Sequence, residues 1–119
     1  HALEAATSYS DRLLHGEAVS IGMCLAIRLS EELNICRPQT AARVAAHLKS
    51  VGLPTELEDI PGAGDLPGAE GLLELMRQDK KVRQGRLTLI LLREIGNAFA
   101  TREVEPATLL DFLRRTRGA

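Results

Sequence analysis

Apolar positions set the reading of this chain. Leu14 to Leu33 carries Val19, Gly22 with Met23, Ala26, Leu29 with Ser30, and Leu33 at a 3.6-residue rhythm, which predicts a helix with that stripe turned inward. Asn34 and Pro38 end it and begin the next. A second helix is expected from Pro38 to Val51, with Ala41, Val44, Ala45, Leu48 and Val51 facing the core and Gly52 as its C-terminal stop. Prolines and glycines punctuate Leu53 to Gly68, which reads as a loop-like connection. A third helix follows from Ala69 to Gln78, using Leu72, Leu75 and Met76.

The rhythm then changes. Arg86 to Leu92 and Asn97 to Val104, separated around Ile95-Gly96, are rich in β-branched and aliphatic residues and predict a small antiparallel hairpin. Pro106 opens a last helix in which Leu109, Leu110, Phe112 and Leu113 pack inward while Arg114, Arg115 and Arg117 form a solvated face favoured by the helix dipole. At the other end, His1 to Thr7 reads as the end of a helix and Ser8 to Asp11 as a turn. The fold class is mainly α, a helical domain with a minor hairpin. No internal repeat and no glycine-rich nucleotide loop after a strand is present.

At 119 residues the chain suits one domain spanning residues 1–119, burying about two thirds of its unfolded surface. Fifteen basic and sixteen acidic side chains are interspersed, so no single-sign field exists to hold nucleic acid or an anionic membrane. Nothing approaches the ~20 apolar residues of a membrane span. Cys24 and Cys36 are isolated, without a CxxC or Cys/His cluster, and are read as two reduced, partly buried thiols suited to the cytoplasm.

Candidate chemistry concentrates near the start. His15 opens a helix, Gly16 leaves one side of its ring open, and Glu17 is placed to hold the local backbone; a neutral imidazole there suits zinc or cobalt. A lone histidine at a helix start is more often a simple hydrogen-bonding group. His1 lies too far from His15 for one helix face, so the two cannot complete a metal site without a further ligand. His47 falls off its helix stripe and reads as a surface residue. Glu4, one turn after His1, could orient that ring, although an exposed helical glutamate is the commoner explanation. Lys80 and Lys81 follow a helix, where the dipole favours them whatever the function; equally, one ammonium could hold a phosphate or carboxylate. Sequence physics leaves these two readings level.

Taken together, His1-Ala-Leu-Glu4, Leu14-His15-Gly-Glu-Ala-Val-Ser-Ile-Gly-Met23, Leu29-Ser30, Gly52-Leu-Pro54, Met76 to Lys81 and Leu91 to Ala98 resemble the C-terminal domain of the 3-dehydroquinate synthase family. The resemblance implies the helical half of a two-domain carbon–oxygen lyase of the shikimate pathway, whose NAD-binding N-terminal domain lies outside this chain. It implies His15 as a ligand of zinc or cobalt, and His1 as a catalytic, substrate-contacting residue on the phosphate side. Lys80, as a catalytic residue, and Lys81 would bind the anionic groups of a sugar-phosphate substrate. A further histidine and a glutamate of the family's metal site have no counterpart here. The implied setting is cytoplasmic and the full enzyme a homodimer. The chain opens on histidine and is expected to be a fragment, inactive alone.

Rival readings are another sugar-phosphate cyclase, a metal-dependent alcohol or glycerol dehydrogenase domain, or a non-catalytic helical interaction module. The Asp79-Lys-Lys81 and Gly52-Leu-Pro54 blocks favour the synthase.

Overall fold

A computed structural model describes residues 1–78 and 86–117. Among the described residues, five α-helices and one hairpin carry the fold: α1 (Ala2–Ala6), α2 (His15–Glu32), α3 (Thr40–Ser50), α4 (Ala69–Arg77), β1 (Leu89–Glu94), β2 (Asn97–Thr101) and α5 (Pro106–Arg117). The mainly helical class with a small antiparallel hairpin is as expected, with boundaries within a few residues of those read from the sequence.

Helix α2 touches every part of the core. Ala18 and Ile21 join Leu13, Leu57, Ile60, Leu66 and Leu72 in one apolar cluster. Leu29 joins Ala69, Leu73, Leu91, Leu109, Phe112 and Leu113 in a second, and Ile27 joins Cys36 and Ala41 in a third. The buried face is therefore set by Ala18, Ile21, Cys24 and Ile27, not by Val19 and Met23, which are each 44% exposed. The reason is that α2 is apolar around most of its circumference, so a periodicity argument finds two eligible stripes. Of the stripe read from the sequence, Leu29 and Ser30 are buried, Leu33 is half-buried, and Gly22 and Ala26 line an open groove.

Two buried hydroxyls fasten α2 to its neighbours. The Ser20 Oγ donates to the Pro54 carbonyl at 2.6 Å. Ser30 Oγ donates back to the Ala26 carbonyl and accepts the Leu92 N–H at 3.0 Å, which ties α2 to β1. Helix α3 begins two residues after Pro38, where Gln39 takes a left-handed φ of 75° and Glu31 from α2 accepts the Ala41 N–H at 3.0 Å. Val51, expected inside, is exposed, because α3 has ended at Ser50 and Gly52 turns the chain away with φ +85°.

The segment from Leu53 to Gly68 departs most from expectation. It contains two 3-10 turns, Leu57–Asp59 and Ala63–Asp65, and it inserts Leu57, Ile60 and Leu66 into the core. Asp59 organises the first turn by accepting the N–H groups of Thr55 and Glu56. The guanidinium of Arg12 donates to the Pro61 and Gly62 carbonyls, and that of Arg117 to the Leu66 and Pro67 carbonyls. Irregular backbone is thus satisfied by side chains brought from elsewhere in the chain.

Strands β1 and β2 pair antiparallel with Leu91 opposite Phe99, and Gly96 provides the positive φ of the connection. Arg93 stacks over the Phe99 ring at 3.8 Å. Leu91 is the buried anchor of the hairpin. On α5 the arginines are more than a solvated face, since Arg114 pairs with Glu70 of α4 and Arg115 with Glu32 of α2, both at 2.6 Å. Hydrogen bonding to Arg114 holds the Glu70 carboxyl below its ordinary range. On α4, Leu73 enters the core alongside Leu72, while Leu75 and Met76 are only half-buried.

Because Ile60 is 2% exposed in the first core cluster, Ile60→Ala should destabilise the chain by about 2–5 kcal/mol in urea unfolding. A change under about 0.5 kcal/mol, the size typical of surface positions, would mean that this segment is the simple connection its composition suggests.

Candidate functional site

The first fifteen residues form a hook. Helix α1 ends at Thr7, whose buried Oγ1 donates to the carbonyls of Leu3 and Glu4. Ser8 and Tyr9 then adopt φ of 56° and 54°, and the Tyr9 N–H returns to the Glu4 carbonyl at 2.9 Å. Two consecutive left-handed residues without a glycine are uncommon, and here they lie where the chain turns between α1 and α2. Ser10 closes the reversal by donating to the Thr7 carbonyl, and Leu13 plugs the core.

Helix α2 then starts at His15. Its entry is held by Glu17, whose carboxylate accepts the Leu14 N–H at 2.8 Å, the role expected for that residue. The hook brings Glu4 against His15: Glu4 Oε2 lies 3.2 Å from His15 Nδ1. The other oxygen faces His1, with Oε1 3.9 Å from Nδ1, a distance beyond hydrogen bonding. The two imidazoles are mostly exposed, whereas the Glu4 side chain between them is 19% exposed.

Glu4 therefore lies between the two rings, within hydrogen-bond reach of His15 alone. Sequence reasoning treated Glu4 as a surface residue or as a partner of His1, and missed its link to His15. The link depends on the left-handed turn at Ser8 and Tyr9, which no pattern of residue types announces. Gly16 has open space where a side chain would project, as expected for an accessible ring beside it.

His15 Nε2 meets no hydrogen-bond partner among the described residues. Its lone pair is suited to a cation. A carboxylate on Nδ1 with a free Nε2 is the arrangement in which metal-bound histidines are commonly held. The residues present therefore fit a divalent metal as one ligand with its support. They do not form a closed site, since no group of three His, Cys, Asp or Glu side chains among the described residues is placed to hold an ion. Lys80 and Lys81 lie outside the described residues. His47 is exposed, as expected.

Beside this hook lies a groove of about 280 Å³ bounded by His1, Leu3, Gly22, Ala26, Leu91 and Phe112, among others. Apart from His1 and Thr88 its walls are apolar, so it is poorly suited to a polyhydroxylated phosphate. Of the polar side chains gathered at the hook, His1 lines this groove, and Glu4 and His15 do not. No helix among the described residues is long and apolar enough to cross a membrane.

The family model for the 3-dehydroquinate synthase C-terminal region matches residues 1–82, which include the hook, α2, and Lys80 and Lys81. The chain belongs to this family. It is 53% identical to the 3-dehydroquinate synthase of Paracoccus denitrificans (strain Pd 1222) over 98% of this chain and 31% of that protein. Against the 3-dehydroquinate synthase of Ruegeria sp. (strain TM1040), the identity is 56% over 96% of this chain and 30% of the relative. The chain thus spans about 30% of the length of these curated relatives. A crystal structure of 2-deoxy-scyllo-inosose synthase, complexed with carbaglucose-6-phosphate, NAD+ and Co2+, superposes with a TM-score of 0.75 at 20% identity. It covers 98% of this chain and 32% of that one, and shows a shared fold.

Neither cysteine belongs to the site. Burial raises the affinity of the Cys24 and Cys36 thiols for their protons, and both are free. They should resist iodoacetamide at neutral pH in the folded chain and react at ordinary thiol rates in denaturant. Rapid labelling of either one without denaturant would contradict this placement.

Proposed function

We propose that this chain is the metal- and substrate-binding half of a 3-dehydroquinate synthase, residues 1–119 forming its C-terminal domain. The reaction is conversion of 3-deoxy-D-arabino-heptulosonate 7-phosphate to 3-dehydroquinate and phosphate, in the cytoplasm, with NAD carried by an N-terminal domain and the whole enzyme a homodimer. The observation that carries this reading is the His15–Glu4 contact at the entry of α2, in a chain of this family.

His15 would supply one neutral nitrogen to zinc or cobalt through Nε2. When bound, a divalent cation polarises hydroxyl and carbonyl oxygens and lowers the cost of the alkoxide that develops during oxidation. His1, exposed on the rim, is free to meet the phosphate end of a substrate as a hydrogen-bond donor. Lys80 and Lys81 would add cationic charge against the same anionic groups. These polar groups, and not the apolar groove beside the hook, would bind and orient the substrate.

A different sugar-phosphate cyclase is the nearest alternative, supported by the shared fold with 2-deoxy-scyllo-inosose synthase. Identities of 53–56% to 3-dehydroquinate synthases against 20% to that enzyme favour the first reading.

The test is metal analysis of the longest native protein that contains this chain. His15→Ala should lose bound zinc or cobalt and catalytic turnover together, while the isolated 119-residue chain should neither turn over substrate nor bind NAD. Metal retained at the wild-type level in His15→Ala would overturn the assignment.

A further inference from the structure

We propose that Glu4 is a positioning residue for His15, holding the imidazole proton on Nδ1 so that the Nε2 lone pair is presented to the cation. This rests on the reading of His15 as a metal ligand. An ionised carboxylate is an acceptor only, so a hydrogen bond between Glu4 Oε2 and His15 Nδ1, 3.2 Å apart, assigns the proton to Nδ1. A neutral imidazole carries one proton, and Nε2 is then left as the donor of an electron pair.

The geometry is built rather than incidental. Glu4 is held at its own backbone carbonyl by two donors, the Tyr9 N–H and the Thr7 hydroxyl. Its carboxylate is four-fifths buried although α1 contains no fully buried residue. On the opposite side His15 is fixed in direction by the start of α2, through the Glu17 carboxylate on the Leu14 N–H. Both ends of the contact are therefore anchored before any ion arrives. The second oxygen of Glu4 is turned toward His1, 3.9 Å from its Nδ1, which leaves the His15 contact as the one within hydrogen-bond reach.

The test uses the longest native protein containing this chain, with nitrogen-15-labelled histidine. Stripped of metal and held above the ordinary imidazole range of about 6.5, the wild type should show His15 as the Nδ1–H tautomer. Glu4→Ala should lose that preference and bind zinc about 10–100-fold more weakly in chelator competition. Glu4→Gln keeps an acceptor of equal reach without the charge, so it should keep the tautomer and fall between the two in affinity. If the alanine variant does not fold, the metal-free wild type carries the test, and a His15 found as the Nε2–H tautomer then overturns the proposal. Unchanged tautomer and unchanged zinc affinity in a folded Glu4→Ala, beside lost zinc in His15→Ala, overturns the role of Glu4 alone. Undiminished zinc in His15→Ala overturns the ligand assignment and this proposal with it.

Discussion

Everything in this fold is hung on helix α2. Among the described residues it is the one element that reaches all three apolar clusters, and its two buried serines take hydrogen bonds to the segment after α3 and to the hairpin. A helix held along eighteen residues cannot rotate without breaking several of these contacts at once. The direction of its first residue, His15, is consequently a property of the whole core and not of a surface loop. That is the condition a ligand position needs, because a metal donor misplaced by an ångström is a poor donor.

Against this fixed end the chain folds a short, strained return. The left-handed pair Ser8 and Tyr9 costs conformational energy, and what it gains is the approach of α1 to the entry of α2. The contact between Glu4 and His15 spans only eleven residues, and it joins two helices that pack on the same apolar cluster. Among the described residues, the candidate chemistry gathers at that junction. The thiols are buried, the arginines of α5 are engaged with Glu32, Glu70 and the backbone near Leu66, and the adjoining groove is largely apolar.

Much of this was legible in the residue pattern. Helix ends announced themselves through Pro38, Gly52 and Pro106, and the hairpin through its β-branched and aliphatic residues on either side of Ile95-Gly96. Two features were hidden for physical reasons. On α2 the apolar surface is too wide for periodicity to choose between the Val19–Met23 stripe and the Ala18–Ile21 stripe; only the neighbours decide. Between Leu53 and Gly68, prolines and glycines correctly exclude long helices but say nothing about burial. Whether Leu57, Ile60 and Leu66 go inside depends on Arg12, Arg117 and Asp59 satisfying the backbone around them. At the site, His15 and the Glu17 cap could be read from local spacing, whereas the Glu4 contact required the turn that carries α1 back.

The central claim is that the ring at the head of α2 gives its Nε2 to a divalent cation. Anomalous diffraction at the cobalt or zinc edge, on crystals of the longest native protein containing this chain, tests it directly. The account predicts a single ion about 2.0–2.1 Å from His15 Nε2, with Glu4 still on Nδ1. An ion bound elsewhere, or bound through Nδ1 with Glu4 displaced, would contradict it.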